Sequence, residues 1–339
     1  MSATGAGGSE WPSTVGGATE LEELLSRPPR ELARELGRLR GDLVVLGAGG
    51  RLGLSLATMA RRALDEAGSR RAVIAVSRFG GAPAREALEA SGVRTIAADL
   101  LDPAQVAALP EAGAAVFMVG AGRRGSGVDA RTWAVNALLP GLVAGRYAGA
   151  PTVVFSSDVV YPAVPVDGEG ANEETPPEPA GEYALSVLAR ERVFDSFSRE
   201  HGTPSVLLRC GHVAELRRGV VADVASRVLA GEPIELSAGP LDVIWQGDAV
   251  AAALRSIALG QSPPRVLNLT GAERVSLREL AGWFGQAFGC EPVLAGDERA
   301  SAPLGDGARA LALFGPPRVT LQRLVDWTAR WLAAGGEVE

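Results

Sequence analysis

Lysine is absent from this chain: all 33 basic residues among its 339 are arginine. That absence excludes every mechanism that needs an amine at the site. Schiff-base lysine enzymes, phosphate-loop NTPases and protein kinases with a strand lysine all fall away. The richness in arginine, alanine and glycine, with 43 Gly, reads as coding bias, and the site itself must show whether bias is the whole explanation. Histidine is nearly absent too. The two present, His201 and His212, exclude a His-rich metal centre, and no metal is expected. Cys210 and Cys290 lie far apart with no ligand spacing, which predicts free thiols in a reducing cytoplasm. No apolar run approaches the roughly 20 residues of a membrane span, and the N-terminus lacks a signal-peptide pattern. A net charge of -7 without a basic cluster argues against nucleic-acid binding.

What is present is an alternation of strand and helix patterns. Residues 1–18 are Gly/Ser-rich and are expected to be mobile. Residues 19–40 predict short helices broken at Pro28-Pro29, with a packing or oligomer-contact role. From residue 42, apolar strands at 43–46, 72–77, 94–100, 114–120, 151–157 and 204–209 alternate with helical periodicity at 51–68, 85–92, 132–147 and 183–200. The acidic, Pro-rich stretch 166–182 predicts a loop. Apolar strands separated by helices imply an α/β fold, a doubly wound parallel sheet of Rossmann type, with a small C-terminal α/β lobe. The expected division is an N-terminal extension (1–40), a dinucleotide-binding domain (41–205 plus about 241–270) and a substrate lobe (about 206–240 and 271–339).

The turn after the first strand is Gly47-Ala48-Gly49-Gly50-Arg51-Leu52-Gly53. GxGxxG fails because Leu52 takes the third glycine position, whereas GxxGxxG fits at Gly47, Gly50 and Gly53. These glycines allow a tight turn, close approach of a pyrophosphate and helix–strand packing, with the helix N-terminus facing the phosphates. The second strand ends at Ser77-Arg78. No acid stands there for a ribose 2′-OH, and a guanidinium suits a 2′-phosphate, so NADP is favoured, with NAD possible. Asp99-Leu100 and Gly120-Ala121-Gly122 end the next two strands, at positions expected near the adenine and against the cofactor.

In order along residues 42–335, GAGGRLG, AADLLDPA, VNALLPG, VVFSSDVVYP, ETPPEPAGEYALS and VIWQGDAVAAAL resemble the extended short-chain dehydrogenase/reductase superfamily, also called the NAD-dependent epimerase/dehydratase family. The resemblance implies a catalytic Ser157, four positions before Tyr161, a catalytic Tyr183 that also meets the cofactor, and a supporting Asn136. It implies an NAD(P)-dependent oxidoreductase or epimerase acting on a hydroxyl or keto group of a sugar-like or nucleotide-sugar molecule. It also implies a homodimer through helices 131–147 and 183–200. The family's lysine, four residues after the tyrosine, is replaced by Val187. Without that charge Tyr183 loses the cation that lowers its pKa from about 10.

Four weaker substrate-side candidates remain. Arg190 lies at i+7 from Tyr183 on one helix face. It either reaches the site or forms a surface ion pair with Glu191 or Glu182. Asp158 follows Ser157 where dehydratases of the family carry Asp-Glu, but Val159 replaces the Glu. His212 falls where sugar-nucleotide members place a substrate-contacting Asn. Arg217, with Glu215 and Arg218, is either an anion clamp or a solvated turn. Trp245 is expected in the core. Two other readings follow from the missing lysine: an NADP-binding sensor or structural protein without turnover, or an isomerase or lyase using bound cofactor without net redox.

Overall fold

The computed structural model describes residues 11–122 and 130–338. Its centre is a seven-stranded sheet. The strands are β1 (Leu43–Leu46), β2 (Val73–Ser77), β3 (Arg94–Ala97), β4 (Ala114–Phe117), β5 (Thr152–Ser157), β6 (Ser205–Cys210) and β9 (Arg265–Leu269). The order is β9-β6-β5-β4-β1-β2-β3, and every pairing is parallel. The alternation of strand side chains puts Leu43 and Val45 in one apolar core and Val44 and Leu46 in another on the opposite face. All four are buried, as a strand covered on both faces requires. The chain reverses direction through the sheet between β1 and β4, which opens a crevice at the strands' carboxyl ends.

Four helices matter for that crevice and its surroundings. They are α3 (Gly53–Glu66), α5 (Leu139–Arg146), α6 (Gly181–His201) and α7 (Gln246–Ser256); α1 (Ala18–Leu25) and α2 (Arg30–Leu36) precede β1, and α4 (Ala82–Ala90) follows β2. The sequence predicts an unbroken helix over 132–147. The structure inserts a π-helical turn at Ala134–Leu138 immediately before α5. Such a turn widens the ladder by one residue and commonly marks a functional position.

A third apolar core binds α1 to the helices at Val220–Ala230, Leu277–Phe288 and α8 (Leu321–Ala333). Beside it lies a three-stranded sheet of β7 (His212–Ala214), β8 (Leu241–Trp245) and β10 (Arg274–Val275). Strand β6 belongs to the main sheet. Strand β8 belongs to the small sheet; its alternation sends Ile244 into the first core and Val243 and Trp245 into the third. The chain from Trp11 onward is anchored rather than mobile. Trp11 is buried edge-on to Trp327, with the Arg27 and Arg318 guanidiniums over its ring. Trp327 Nε1 donates to the Pro12 carbonyl at 3.0 Å. Residues 1–10 lie outside the described residues. Trp245 is core, as expected.

Candidate active site

The predicted cofactor residues converge on one cleft of ≈ 640 Å³ at the carboxyl ends of β1 to β4. Gly47 and Gly50, Ser77 and Arg78, Asp99 and Leu100, and Gly120 to Gly122 all line it. The glycine turn is shaped by contact as well as by dihedral. Gly47 sits at φ 92 with its missing Cβ against the Val119 backbone, and a Cβ on Gly49 would lie 2.6 Å from Ser77 Oγ. Gly53 lies outside the cleft and serves packing: a Cβ there would overlap the Ala48 backbone. Arg51, Leu52, Asn136 and Tyr183 also stand outside the cleft lining. Leu52 caps α3 and packs on the core. Arg51 donates from Nη2 to the Val213 carbonyl at 2.7 Å, and burial holds its pKa below the usual arginine value.

Arg78 is exposed at the cleft and is followed by Phe79 at φ 45. A bulky side chain in the left-handed region is strained, and such strain concentrates at functional sites. Sequence pattern carried no signal for it.

Asn136, in the π-helical turn, is fully buried and is bonded through both ends of its amide. Its Oδ1 accepts from Ala121 N–H at 2.9 Å and from Arg190 Nη2 at 2.7 Å. Its Nδ2 donates to the Ala121 carbonyl at 3.1 Å and to Ser186 Oγ at 3.0 Å. Ser186 Oγ in turn donates to the Tyr183 carbonyl at 2.7 Å. Asn136 therefore ties the cleft wall to the helix that carries Tyr183. Tyr183 is half-buried near the start of α6, and Ser157 is half-buried at the end of β5.

Val187 is 1% exposed, so the family's lysine position is filled by packed apolar volume. The reading of Arg190 as a surface ion pair is overturned. Arg190 is buried, with Nη1 donating to the Phe155 carbonyl at 2.8 Å and Nη2 to Asn136. Its Nη2 also lies 3.0 Å from where a Gly120 Cβ would stand. Burial pulls its pKa down to about 10, with Tyr183 and Glu191 opposing that fall, so it remains a cation at neutral pH. Glu191 pairs elsewhere. Its carboxylate takes both Nε (3.0 Å) and Nη2 (2.7 Å) of Arg209 and accepts from Ser156 Oγ. The Arg209 guanidinium lies 4.7 Å over the Tyr161 ring, and Tyr161 donates to Asn268 Oδ1 at 2.7 Å. The residues that the helical period places beside Tyr183 thus form a buried polar layer under the site.

Ser157 Oγ donates to Asp158 Oδ1 at 3.0 Å. Asp158 is buried, and desolvation raises its pKa to about 7, with the nearby Asp242 charge adding and His212 opposing. His212 Nδ1 stands 3.1 Å from Asp242 Oδ1. Burial lowers the His212 pKa, but the hydrogen bond to Asp242 and the charges of both carboxylates outweigh it, and the net direction is up. Sequence reading missed Asp242, which stands in β8 just before the apolar run Val243–Trp245 and carries no motif. Asp158, His212 and Asp242 bring one oxygen or nitrogen donor each within 4.8 Å of one another. Arg217 is held by Glu22 of α1 at 2.6 Å and by Glu215 at 3.4 Å, so its turn is a clasp between segments and not a solvated loop. Cys210 is buried and Cys290 exposed, both as free thiols.

The cleft, the glycine turn at the N-terminus of α3 and the polar set along β2 to β4 fit a nicotinamide dinucleotide. Comparison with known proteins agrees with this arrangement. Residues 43–269 match the profile described as the NAD dependent epimerase/dehydratase family. No curated protein matches the sequence. Among solved structures, the chain resembles the UDP-glucose 4-epimerase of Thermus thermophilus in complex with NAD, at 23% identity and TM-score 0.69, over 85% of this chain and 98% of that one. It also resembles a dTDP-glucose 4,6-dehydratase of Streptomyces venezuelae with NAD bound, at 19% identity and TM-score 0.73, over 86% and 97% of the two chains. A third is the UDP-glucuronic acid 4-epimerase of Bacillus cereus in complex with NAD, at 16% identity and TM-score 0.70, over 86% and 99%.

Proposed function

Because the chain belongs to the NAD dependent epimerase/dehydratase family, we propose that it oxidises, reduces or epimerises a carbinol centre of a nucleotide sugar, with Tyr183 as the proton-transfer residue and Ser157 as the clamp on the reacting oxygen. The observation that carries this reading is the Asn136 network, which couples the Gly120–Ala121 wall of the cleft to the helix bearing Tyr183. A nicotinamide dinucleotide supplies hydride acceptance and donation when bound. Gly47, Gly50 and the α3 N-terminus would hold its pyrophosphate, and Asp99 and Leu100 its adenine side. Tyr183 moves a proton at its hydroxyl, and the Ser157 hydroxyl holds the substrate oxygen in place. Positive charge near Tyr183 comes from Arg190 instead of a lysine. Tyr183→Phe is expected to lower turnover of UDP-glucose or UDP-galactose by about 10²–10⁴-fold while cofactor affinity, read by fluorescence titration, stays within a few-fold. An unchanged rate would remove Tyr183 from the mechanism.

Arg78 at the cleft supports a preference for NADP, since a guanidinium pairs with a 2′-phosphate, although the similar structures named above hold NAD. The expectation is tighter binding of NADP than of NAD by about tenfold or more, a difference of ~1.4 kcal/mol. Arg78→Glu should reverse the order; equal affinity in the unaltered protein sinks the preference. Leu138 and Leu185 stand exposed (62% and 45%) on the π-helical turn and α6, which supports a homodimer through these helices. No described helix is long and apolar enough to cross a membrane. The buried Val187 favours one other reading, a cofactor-binding protein without turnover. Cofactor that co-purifies, and that no nucleotide sugar oxidises, reduces or turns over, would select it.

A further inference from the structure

We propose that Asp158, His212 and Asp242 form a binding site for one divalent transition-metal cation at the carboxyl end of the sheet. Three separated segments deliver the ligands. Asp158 follows β5, His212 opens β7, and Asp242 lies in β8, on either side of the junction between the main and small sheets. One donor atom from each residue lies within 4.8 Å of the others. The His212 Nδ1 to Asp242 Oδ1 separation is 3.1 Å. Two donors bound about 2.0–2.2 Å from one ion lie roughly 3 Å apart when they are adjacent in the coordination shell. Binding one ion would draw the Asp158 donor in from within 4.8 Å of the other two.

The carboxylates are built into the protein. Asp158 and Asp242 are 6% and 3% exposed. Each has one oxygen, Asp158 Oδ2 and Asp242 Oδ2, buried without a hydrogen-bond partner among the described residues. An ionised carboxylate oxygen left unpaired in the interior is costly, and a cation is one remedy. The buried guanidiniums of the neighbouring polar layer do not supply it, since Arg190 bonds to Asn136 and Phe155 and Arg209 to Glu191. Gly211 makes room for the cluster, because any Cβ there would overlap the Asp242 carboxylate. His212 is half-buried, so the cluster reaches the surface on that side. One imidazole with two carboxylates suits Mn²⁺ or Zn²⁺ over Ca²⁺, which prefers oxygen donors alone. The ion would stand beside the Ser157 hydroxyl, bonded to Asp158 at 3.0 Å, and would polarise an oxygen held there.

The inference does not depend on the proposed reaction, and its test needs no substrate. Full-length protein freed of metal by chelator is titrated calorimetrically with MnCl₂, ZnCl₂ and CaCl₂ in separate runs. One equivalent of Mn²⁺ or Zn²⁺ is expected to bind, with Ca²⁺ weaker. His212→Ala and Asp158→Asn should each weaken binding by more than about 100-fold, beyond the usual cost of losing an outer partner. Cys290→Ala should leave it unchanged, which separates the site from an exposed thiol. Paramagnetic resonance of the Mn²⁺ complex of the unaltered protein should show coupling to one nitrogen, a readout that does not rely on the variants folding. No binding up to millimolar metal, undiminished binding in His212→Ala, or Ca²⁺ binding as tightly as Mn²⁺ would each overturn the proposal.

Discussion

Exchanging Arg190 for leucine is expected to lower turnover about 10–100-fold near neutral pH. The size follows from electrostatics. A hydrogen bond from a charged group contributes about 1.5–3 kcal/mol, and each ~1.4 kcal/mol lost from the transition state is tenfold in rate. Tyr183 and Arg190 act on each other through charge, and Arg190 is the buried cation on the tyrosine's own helix. Val187 cannot supply that charge. Leucine keeps much of the buried volume, and Asn136 Oδ1 retains its bond from Ala121 N–H, so cofactor affinity should change little. Arg190→Lys should recover part of the rate, because a shorter stem still brings an ammonium toward Asn136. A rate that falls only in step with the fraction of folded protein would mean that Arg190 only supports the fold. A rate that does not change would remove Arg190 from the mechanism.

Replacing Glu191 with alanine should destabilise the protein by about 3–5 kcal/mol, because it strands the Arg209 guanidinium in the interior. Glu191 and Arg209 are 3% and 4% exposed, with two parallel hydrogen bonds between them. Ser156 Oγ would lose its acceptor in the same step. For a domain of this size the shift in Tm should be on the order of 10 °C, read by calorimetry. The double variant Glu191→Leu with Arg209→Met should recover most of the loss, since a buried pair replaced by apolar groups of similar volume is often close to neutral. Additive losses in the double variant would refute the pairing. Both residues lie under the Tyr161–Asn268 contact and away from the cleft lining, so remaining folded protein should bind cofactor normally.

These two neighbours show where sequence reading stopped. Helical period places Arg190 on the face of Tyr183 and Glu191 one step round, and charge suggests that they pair with each other. The structure sends them to different partners. Arg190 meets Asn136, 54 positions earlier, and Glu191 meets Arg209, 18 positions later. Neighbouring helix residues point about a quarter-turn apart or more, so adjacency in sequence does not bring side chains together. The same limit hid Asp242, whose partner His212 stands 30 positions away, and Trp11, whose partner Trp327 lies at the other end of the chain.

By itself the sequence determined the strand–helix alternation, the parallel sheet and the glycine turn, and with them the cleft. Each of these is set by contiguous residues: apolar period, turn chemistry and the need to bury both faces of a strand. It also determined that an amine is missing at position 187. Only the tertiary structure decided where the buried charge on that helix goes. Buried polar groups are satisfied by whatever partner the packed fold places within hydrogen-bonding distance, and that distance is a property of the assembled sheets and helices, not of spacing along the chain. The lysine position thus holds packed valine one turn from a buried arginine, and one of the chain's two histidines stands against a buried carboxylate.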